Sequence, residues 1–425
     1  MLAAAALMSA GLAIDAPAAP ATKRAEPAAT PAPKTSTSAQ TQTQAAQPRR
    51  VVRVVRRAKH ERTADRAGTA DRAGTADRAS TADRASTDLG ERLNKNTLVI
   101  ISGGLDSTDL AIAHQLSAVL DDGNEMRILP MIGAGGGRNI RDVRFMKGID
   151  LGITQTNLLA RMRQSGELGA LDDKIVYLAK LFNDELHIVV RADSGLASIE
   201  QLAGRTVSLG EPGSGTQLIA RDVLDRLGIA VQEVNIAGTD AIDRLATGEI
   251  DAVALIGGKP IPAVAQRSGL RLLAVPFAKP LREEFLPASL TSEDYPELLE
   301  PGSRVDTIAI GTVLIANNWP KDSDQYKKIR KFVAAFFPQI AKLQAPSFHP
   351  KWREVNLAAT LPGWTRFAAA ETWLAQYKSE NEQAETERDK FDQFVRARGG
   401  GTGSAEDHEA LFQEFLQWSE ARARR

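Results

Sequence analysis

The sequence predicts an α/β protein with mostly parallel sheets. Three observations carry this. From Asn96 onward, short apolar β-rich runs alternate with helical patterns, and strands alternating with helices of about 10–15 residues give βαβ units. Glycine-rich turns stand between strand and helix in two successive units. Hydrophobic residues make up 43% and charged residues 25% of the chain, ordinary for a globular protein. The length of 425 residues corresponds to two or three domains at about 100–200 residues each.

TLVIIS opens the ordered region as a buried strand. GGLDST follows as a loop, and DLAIAHQLSAVLDDG as a helix, with Ile112, Leu116 and Leu120 on one face and Gly123 at its end. Next come the strand MRILPMI, the loop GAGGGR, the helix NIRDVRFMKG and the short strand DLGIT. IVYLAKLF and LHIVVR read as two separate strands. A second unit starts with the strand RTVSLG, the turn EPGSGT and the helix QLIARDVLDRLG. VQEVNIA, TDAIDRLATGE, IDAVALIGG and LRLLAVP continue it as strand, helix, strand, strand. RVDTIAIGTVLIANN is the strongest β-run. SDQYKKIRKFVAAFFPQIAKL and TRFAAAETWLAQYKS are helices.

The flanks differ from this core. MLAAAALMSAGLAI is too short an apolar run to span a bilayer and suits a signal-peptide core, with Ala19-Pro20-Ala21 as its cleavage site and residues 1–21 as the leader. No Lys or Arg precedes it. Residues 22–95 are expected to be a disordered low-complexity linker. They are rich in Ala, Pro, Thr and Gln, then carry the basic stretch RRVVRVVRRAKHER and four in-register TADRA repeats with no large apolar residue. The basic stretch offers weak association with an anionic membrane surface. Beyond the break at Gly399–Gly403, Ser404 and Asp407 have capping-box spacing. Leu411, Phe412, Phe415, Leu416 and Trp418 put apolar bulk on one side of a short helix.

Charge and composition exclude several functions. The formal net charge is zero, from 53 basic and 53 acidic residues, but residues 1–95 carry 16 Lys and Arg against 9 Asp and Glu. The folded part is therefore mildly acidic, which argues against nucleic-acid binding. There is no Cys, so disulfides, thiolate catalysis, Cys-held metals and a lipoprotein anchor are excluded. His60, His114, His187, His349 and His408 are too dispersed to suggest a metal site.

Four motifs could carry chemistry. Ser102-Gly103-Gly104-Leu105-Asp106-Ser107, with Thr108 after it, lies between a strand and a helix. There glycines allow close backbone approach, and a helix N-terminus favours an anion. The same string is the phosphate loop of ATP pyrophosphatases, but no later basic or metal-binding motif completes that enzyme. Gly213-Ser214-Gly215-Thr216 is a second turn of the same design. Gln155 and Thr156 follow a strand and offer short polar contacts. Lys259, after Gly257-Gly258, is a candidate counter-charge; Arg138 and Arg191 are weaker ones. Each has a purely structural alternative: a tight turn, an N-cap or a solvated charge. No Ser/His/Asp set and no paired carboxylates stand out, so the reading is not an enzyme and no cofactor is called for.

Taken together, four ordered blocks resemble the TAXI family of solute-binding proteins, which serve TRAP transporters: the opening glycine loop, GAGGGRNIRDVRFMKGIDLGITQTN, LHIVVRADSGLASIEQLAGRTVSLGEPGSGT and TGEIDAVALIGGKPIPAV. The resemblance covers residues 96–320 well and 320–375 loosely. It implies a two-lobe periplasmic-binding-protein type II fold without catalysis. Lobe I would comprise residues 96–190 and 278–375, lobe II residues 191–277, and residues 376–425 a helical tail. By position it implies ligand contacts at Ser102, Gly103, Gly104, Thr108, Gln155, Gly213, Ser214, Gly215 and Thr216. The chain departs from the family at Asp109, where Tyr is usual, and at Arg138, where Ser is usual. The expectation is a periplasmic monomer that captures a small solute, an organic or amino acid, and delivers it to TRAP transporter membrane subunits. The alternatives are a sensor or scaffold of the same fold, and the ATP pyrophosphatase-type enzyme.

Overall fold

The computed structural model describes residues 86–123, 125–397, 412, 413 and 415. The expected leader, the linker as far as residue 85 and most of the tail beyond residue 397 lie outside the described residues. Where the linker was expected to run to residue 95, residues 86–96 form a helix, α1.

Among the described residues ten strands form one mixed sheet. The first half is β1 (Thr97–Ile101), β2 (Arg127–Met131) and β3 (Leu151–Gln155), linked by α2 (Thr108–Leu120) and α3 (Gly136–Phe145). α4 (Thr156–Ser165) leads to β4 (Ile175–Arg191). The second half holds β5 (Thr206–Ser208), α5 (Gly215–Arg226), β6 (Gln232–Val234), α6 (Gly238–Thr247), β7 (Ala252–Gly257), α7 (Pro262–Ala265) and β8 (Leu270–Leu273). The chain returns through β9 (Leu286–Thr291) and β10 (Arg304–Asn317) to α8 (Asp324–Phe336), α9 (Ile340–Leu343) and α10 (Ala368–Ala397).

The strand order is β2-β1-β3-β10-β4-β7-β5-β6, with β8 on β4 and β9 on β10. Each half repeats one plan. Three parallel strands, β2-β1-β3 or β6-β5-β7, are followed by one antiparallel strand that arrives from elsewhere in the chain, β10 or β4. This is the expected two-lobe architecture. The strands β4 and β10 run through both lobes and exchange partners where Ala309 pairs with Glu185. The passage between lobes thus lies within these strands, whereas the sequence placed the first boundary at 190/191. Likewise, α10 runs through the expected boundary at 375/376 without a break.

Two further differences have physical causes. β4 is a single 17-residue strand where IVYLAKLF and LHIVVR were expected as two; the polar triplet Asn183-Asp184-Glu185 lies between them. The carboxylates of that triplet are buried but partnered: Glu185 meets Lys351 and Asp184 meets Gln155. β9 was not anticipated. It contains Pro287 and pairs only with β10, the edge position at which a strand tolerates Pro.

The helices form for reasons visible in sequence. Ser107 caps α2, its Oγ accepting from Leu110 N–H at 3.2 Å, while Ile112, Ala113, Leu116 and Leu120 are buried. Ser214 caps α5 in the same way, accepting from Gln217 N–H at 3.1 Å, and Ile219, Ala220, Val223 and Leu224 are buried. One apolar core, including Leu98, Leu116, Phe332, Phe336 and Trp352, fills the space between the first half-sheet and α2 and α8. A second lies under α6. A third runs across both halves on the opposite face, joining Ile140 and Leu158 to Ile188, Val207 and Val223. At the C-terminal end, Phe391 meets Phe412 edge to face at 5.2 Å and Phe415 at 5.5 Å.

Candidate functional site

The carboxyl ends of the parallel strands in both halves face one another, the position at which open α/β sheets bind ligands. A cavity of about 490 Å³ lies there. Its walls come from the loops after β1, β2 and β3 on one side and after β5, β6 and β7 on the other.

Most of the sequence-derived residues converge on this cavity. Gly103, Gly104, Ser107, Thr108, Gln155, Ser214, Gly215 and Thr216 line it. Ser102 does not. It is fully buried behind the loop, where its Oγ donates to Met131 O at 2.9 Å and its carbonyl accepts from Asn139 Nδ2 at 2.8 Å, so its work is to hold the loop. Gly213 also stands outside the lining. Its φ of +76° is a left-handed conformation that glycine adopts without strain, and its N–H donates to Gln217 Oε1 at 2.5 Å. Thr156 opens α4 next to Gly311 and does not line the cavity.

Two of the three candidate cations are paired elsewhere, and the third, Arg138, is exposed. Lys259 Nζ donates to Ser289 O and pairs with Asp294 Oδ2, both at 2.8 Å. Arg138 lies against Gly213, and Arg191 pairs with Asp193 at 3.2 Å. None of them is in the lining.

What sequence reading missed is the acidity of the cavity. Asp106, Asp109, Glu211 and Asp240 line it, with no Lys, Arg or His among the described lining residues. In the sequence Asp109 stands out only as a departure from a family pattern. It is the second residue of α2, 6% exposed, and its Oδ1 has no hydrogen-bond partner among the described residues. Burial pushes its pKa up to about 7. Behind it, Gln155 Nε2 donates to Asp184 Oδ2 at 2.8 Å, which leaves Gln155 Oε1 without a partner among the described residues. Asp184 is raised well above the usual carboxylate range, first by burial and then by the charge of Asp109. Because β4 carries Asp184 opposite β10 at the centre of the sheet, no alternating pattern marked it.

Against this acidity stand several helix N-termini. The lining includes the first turns of α2 (Ser107–Asp109), α5 (Ser214–Thr216) and α6 (Ala237–Asp240), and Gly135 at the start of α3. First-turn N–H groups have no carbonyl partner within their own helix, and the dipole there favours negative charge. The two walls also touch. Thr108 Oγ1 donates to Gly258 O at 2.9 Å, and Thr239 Oγ1 donates to Asp106 Oδ2.

The fold and this cavity define a two-lobed α/β protein with a cleft between its halves. Residues 100–362 match the model of the NMT1-like family, more than half of the chain, and the protein belongs to that family. Among solved structures, a mutant of ArgBP from T. maritima is similar at 16% identity and TM-score 0.38, covering 62% of this chain and 98% of that one. A structure described as a periplasmic transporter is similar at 13% identity and TM-score 0.40, covering 68% and 96%. The alkanesulfonate-binding protein SsuA from Xanthomonas axonopodis pv. citri, bound to MOPS, is similar at 16% identity and TM-score 0.37, covering 63% and 86%.

Proposed function

We propose that this protein is an extracytoplasmic solute-binding protein, which captures a small solute carrying one acid group between its lobes and passes it to a membrane transporter. The observation that carries the reading is the cavity walled by both lobes at the carboxyl ends of their parallel strands. Loops from both lobes link binding to closure, because a solute held by both walls favours the arrangement in which both are near. The first turns of α2, α3, α5 and α6 supply N–H donors for a carboxylate or sulfonate. The acidic lining disfavours solutes with two or more negative charges. Delivery to a TRAP-type transporter in the periplasm follows from the resemblance of the glycine-loop blocks to the TAXI family.

Binding fits this site better than catalysis. Ser102, the first residue of the phosphate-loop-like string, is buried against Met131 and Asn139. Among the described residues no group of His, Asp and Glu could hold a metal ion. A thermal-shift screen of small organic acids tests the reading. A ligand that binds only the folded state adds about 2.7 kcal/mol at a hundredfold excess over its Kd. At least one monoanionic or zwitterionic acid is expected to raise the melting temperature. Conversion of ATP to AMP and pyrophosphate by the purified protein would contradict the reading.

A further inference from the structure

Resting on the reading of this cavity as a solute site, we propose that Asp109 is its specificity-determining residue and seats a positively charged N–H group of the solute, so that the preferred ligand is zwitterionic. The acid group of that ligand would lie against the helix first turns and its ammonium or amidinium group against Asp109 and Gln155.

Four features of the cavity support this. Asp109 lines it and is more than nine-tenths buried, yet its Oδ1 has no hydrogen-bond partner among the described residues. A buried acceptor left unmatched is costly. Gln155, which also lines the cavity and is 4% exposed, presents a second unmatched acceptor. Its amide nitrogen donates to Asp184 Oδ2, which leaves the oxygen as the unmatched atom. Two unmatched acceptors in one cavity call for a donor with more than one N–H, which an ammonium or amidinium group provides. Finally, no cationic side chain lines the cavity among the described residues. Lys259 and Arg138, the nearest candidates by sequence, are held by Asp294 and packed on Gly213. A positive charge that balances ionised Asp109 would therefore come with the ligand. The raised pKa of Asp109 agrees with a carboxylate that lacks its counter-ion.

The structural alternative for Asp109 is a helix first-turn acid that merely complements the dipole of α2. Such an acid is usually solvated. Burial without a partner sets Asp109 apart from it.

The test compares matched pairs by calorimetric titration at pH 8: β-alanine with propionate, 4-aminobutyrate with butyrate, and taurine with ethanesulfonate. At least one amino compound should bind at least about tenfold more tightly than its des-amino partner, the range expected for hydrogen bonds to a charged group. Asp109→Asn should remove most of that preference by weakening binding of the amino compound at least about tenfold. The wild-type comparison needs no variant, and the melting temperature of ligand-free D109N checks that the variant is folded. Des-amino acids that bind as well as amino acids, or a preference that survives in D109N, would overturn the assignment of Asp109 while leaving solute binding intact. Binding of neither member of any pair would overturn the acid-group reading as well.

Discussion

The backbone of Gly136, in the first turn of α3, packs directly on that of Gly215, in the first turn of α5. A Cβ on Gly136 would come within 2.8 Å of both N and Cα of Gly215. The contact joins the two lobes immediately beside the cavity, and Gly136 also has a φ of +55°, which favours glycine. Gly136→Ala should therefore wedge the lobes apart as well as strain the backbone by about 1–3 kcal/mol. The expected result is a lower melting temperature, a larger radius of gyration in solution scattering and weaker solute binding. An unchanged radius with unchanged affinity would show that the lobes do not depend on this contact.

A second interlobe contact is electrostatic. Arg161 of α4 pairs with Asp222 of α5 and with Glu284 Oε2 at 3.2 Å, and Arg226 pairs with Glu284 and with Asp222 at 3.0 Å. These groups are partly exposed, so each pair contributes about 0–1 kcal/mol. The network still joins α4 to α5 across the cleft. Arg161→Met should weaken solute affinity by less than about tenfold, and the deficit should shrink as ionic strength rises and screening removes the wild-type advantage. Titrations at low and high salt would check this; a salt-independent loss would point to packing instead.

Much of the fold was legible because local signals agreed with it. Ser107 and Ser214 as caps, and Ile112, Leu116 and Leu120 on one face of α2, give the helices directly. The glycine loops were legible for the same reason: a turn that lets backbone approach a ligand leaves a mark within a few residues, and seven candidates drawn from them (Gly103, Gly104, Ser107, Thr108, Ser214, Gly215 and Thr216) line the cavity. The acid cluster left no such mark. Asp109 and Asp184 are 75 residues apart in the chain and approach only when β4 and α2 pack on the same half-sheet. Lys259 misled because a lysine after Gly-Gly carries no sign of its partner, and Asp294 lies in a segment where no element had been anticipated. The polar triplet at Asn183–Glu185 lies between the two expected strands, and its partners, Gln155, Lys351 and Glu354, are all distant in sequence.

The pH dependence of the ligand-free protein follows from Asp109. Its folded pKa is raised from 3.8 to about 7 by burial. The folded state therefore holds a proton that the unfolded chain has already released, and stability falls as pH rises from about 4 to about 7. Asp184 on β4 faces Asp109 and adds to the effect. Asp106, Glu211 and Asp240 share its cavity, and Glu185 with Lys351 lies behind Asp184. Asp109→Asn removes the cost. Its melting temperature should match wild type near pH 4 and exceed it by at least about 2 °C at pH 8. A variant less stable than wild type at pH 8 would show that the Asp109 carboxylate is satisfied in the ligand-free fold.

The lobe passage rests on a buried ion pair. Lys351 Nζ lies 2.6 Å from Glu185 Oε1 and 2.6 Å from Glu354 Oε1, with the Lys351 and Glu185 side chains almost wholly buried. Lys351→Met leaves Glu185 uncompensated and should destabilise the fold by about 3–5 kcal/mol, whereas the double variant with Glu185→Met should recover much of the loss. Denaturant unfolding measures both. Equal destabilisation in the single and double variants would show that the pair itself contributes the stability.

Lys259 separates structure from recognition. Because its Nζ is held by Ser289 O and Asp294, Lys259→Ala should lower the melting temperature and leave solute affinity within about twofold. A tenfold loss of affinity without loss of stability would restore it as a ligand contact.

On the proposed function, one small solute is held by both walls of the interlobe cavity. Hydrogen–deuterium exchange with and without the best-binding acid of the matched pairs tests it most directly. The prediction is slowed exchange at the first turns of α2 and α3 in one lobe and of α5 and α6 in the other. Protection confined to one lobe, or lying away from these four helix starts, would contradict it.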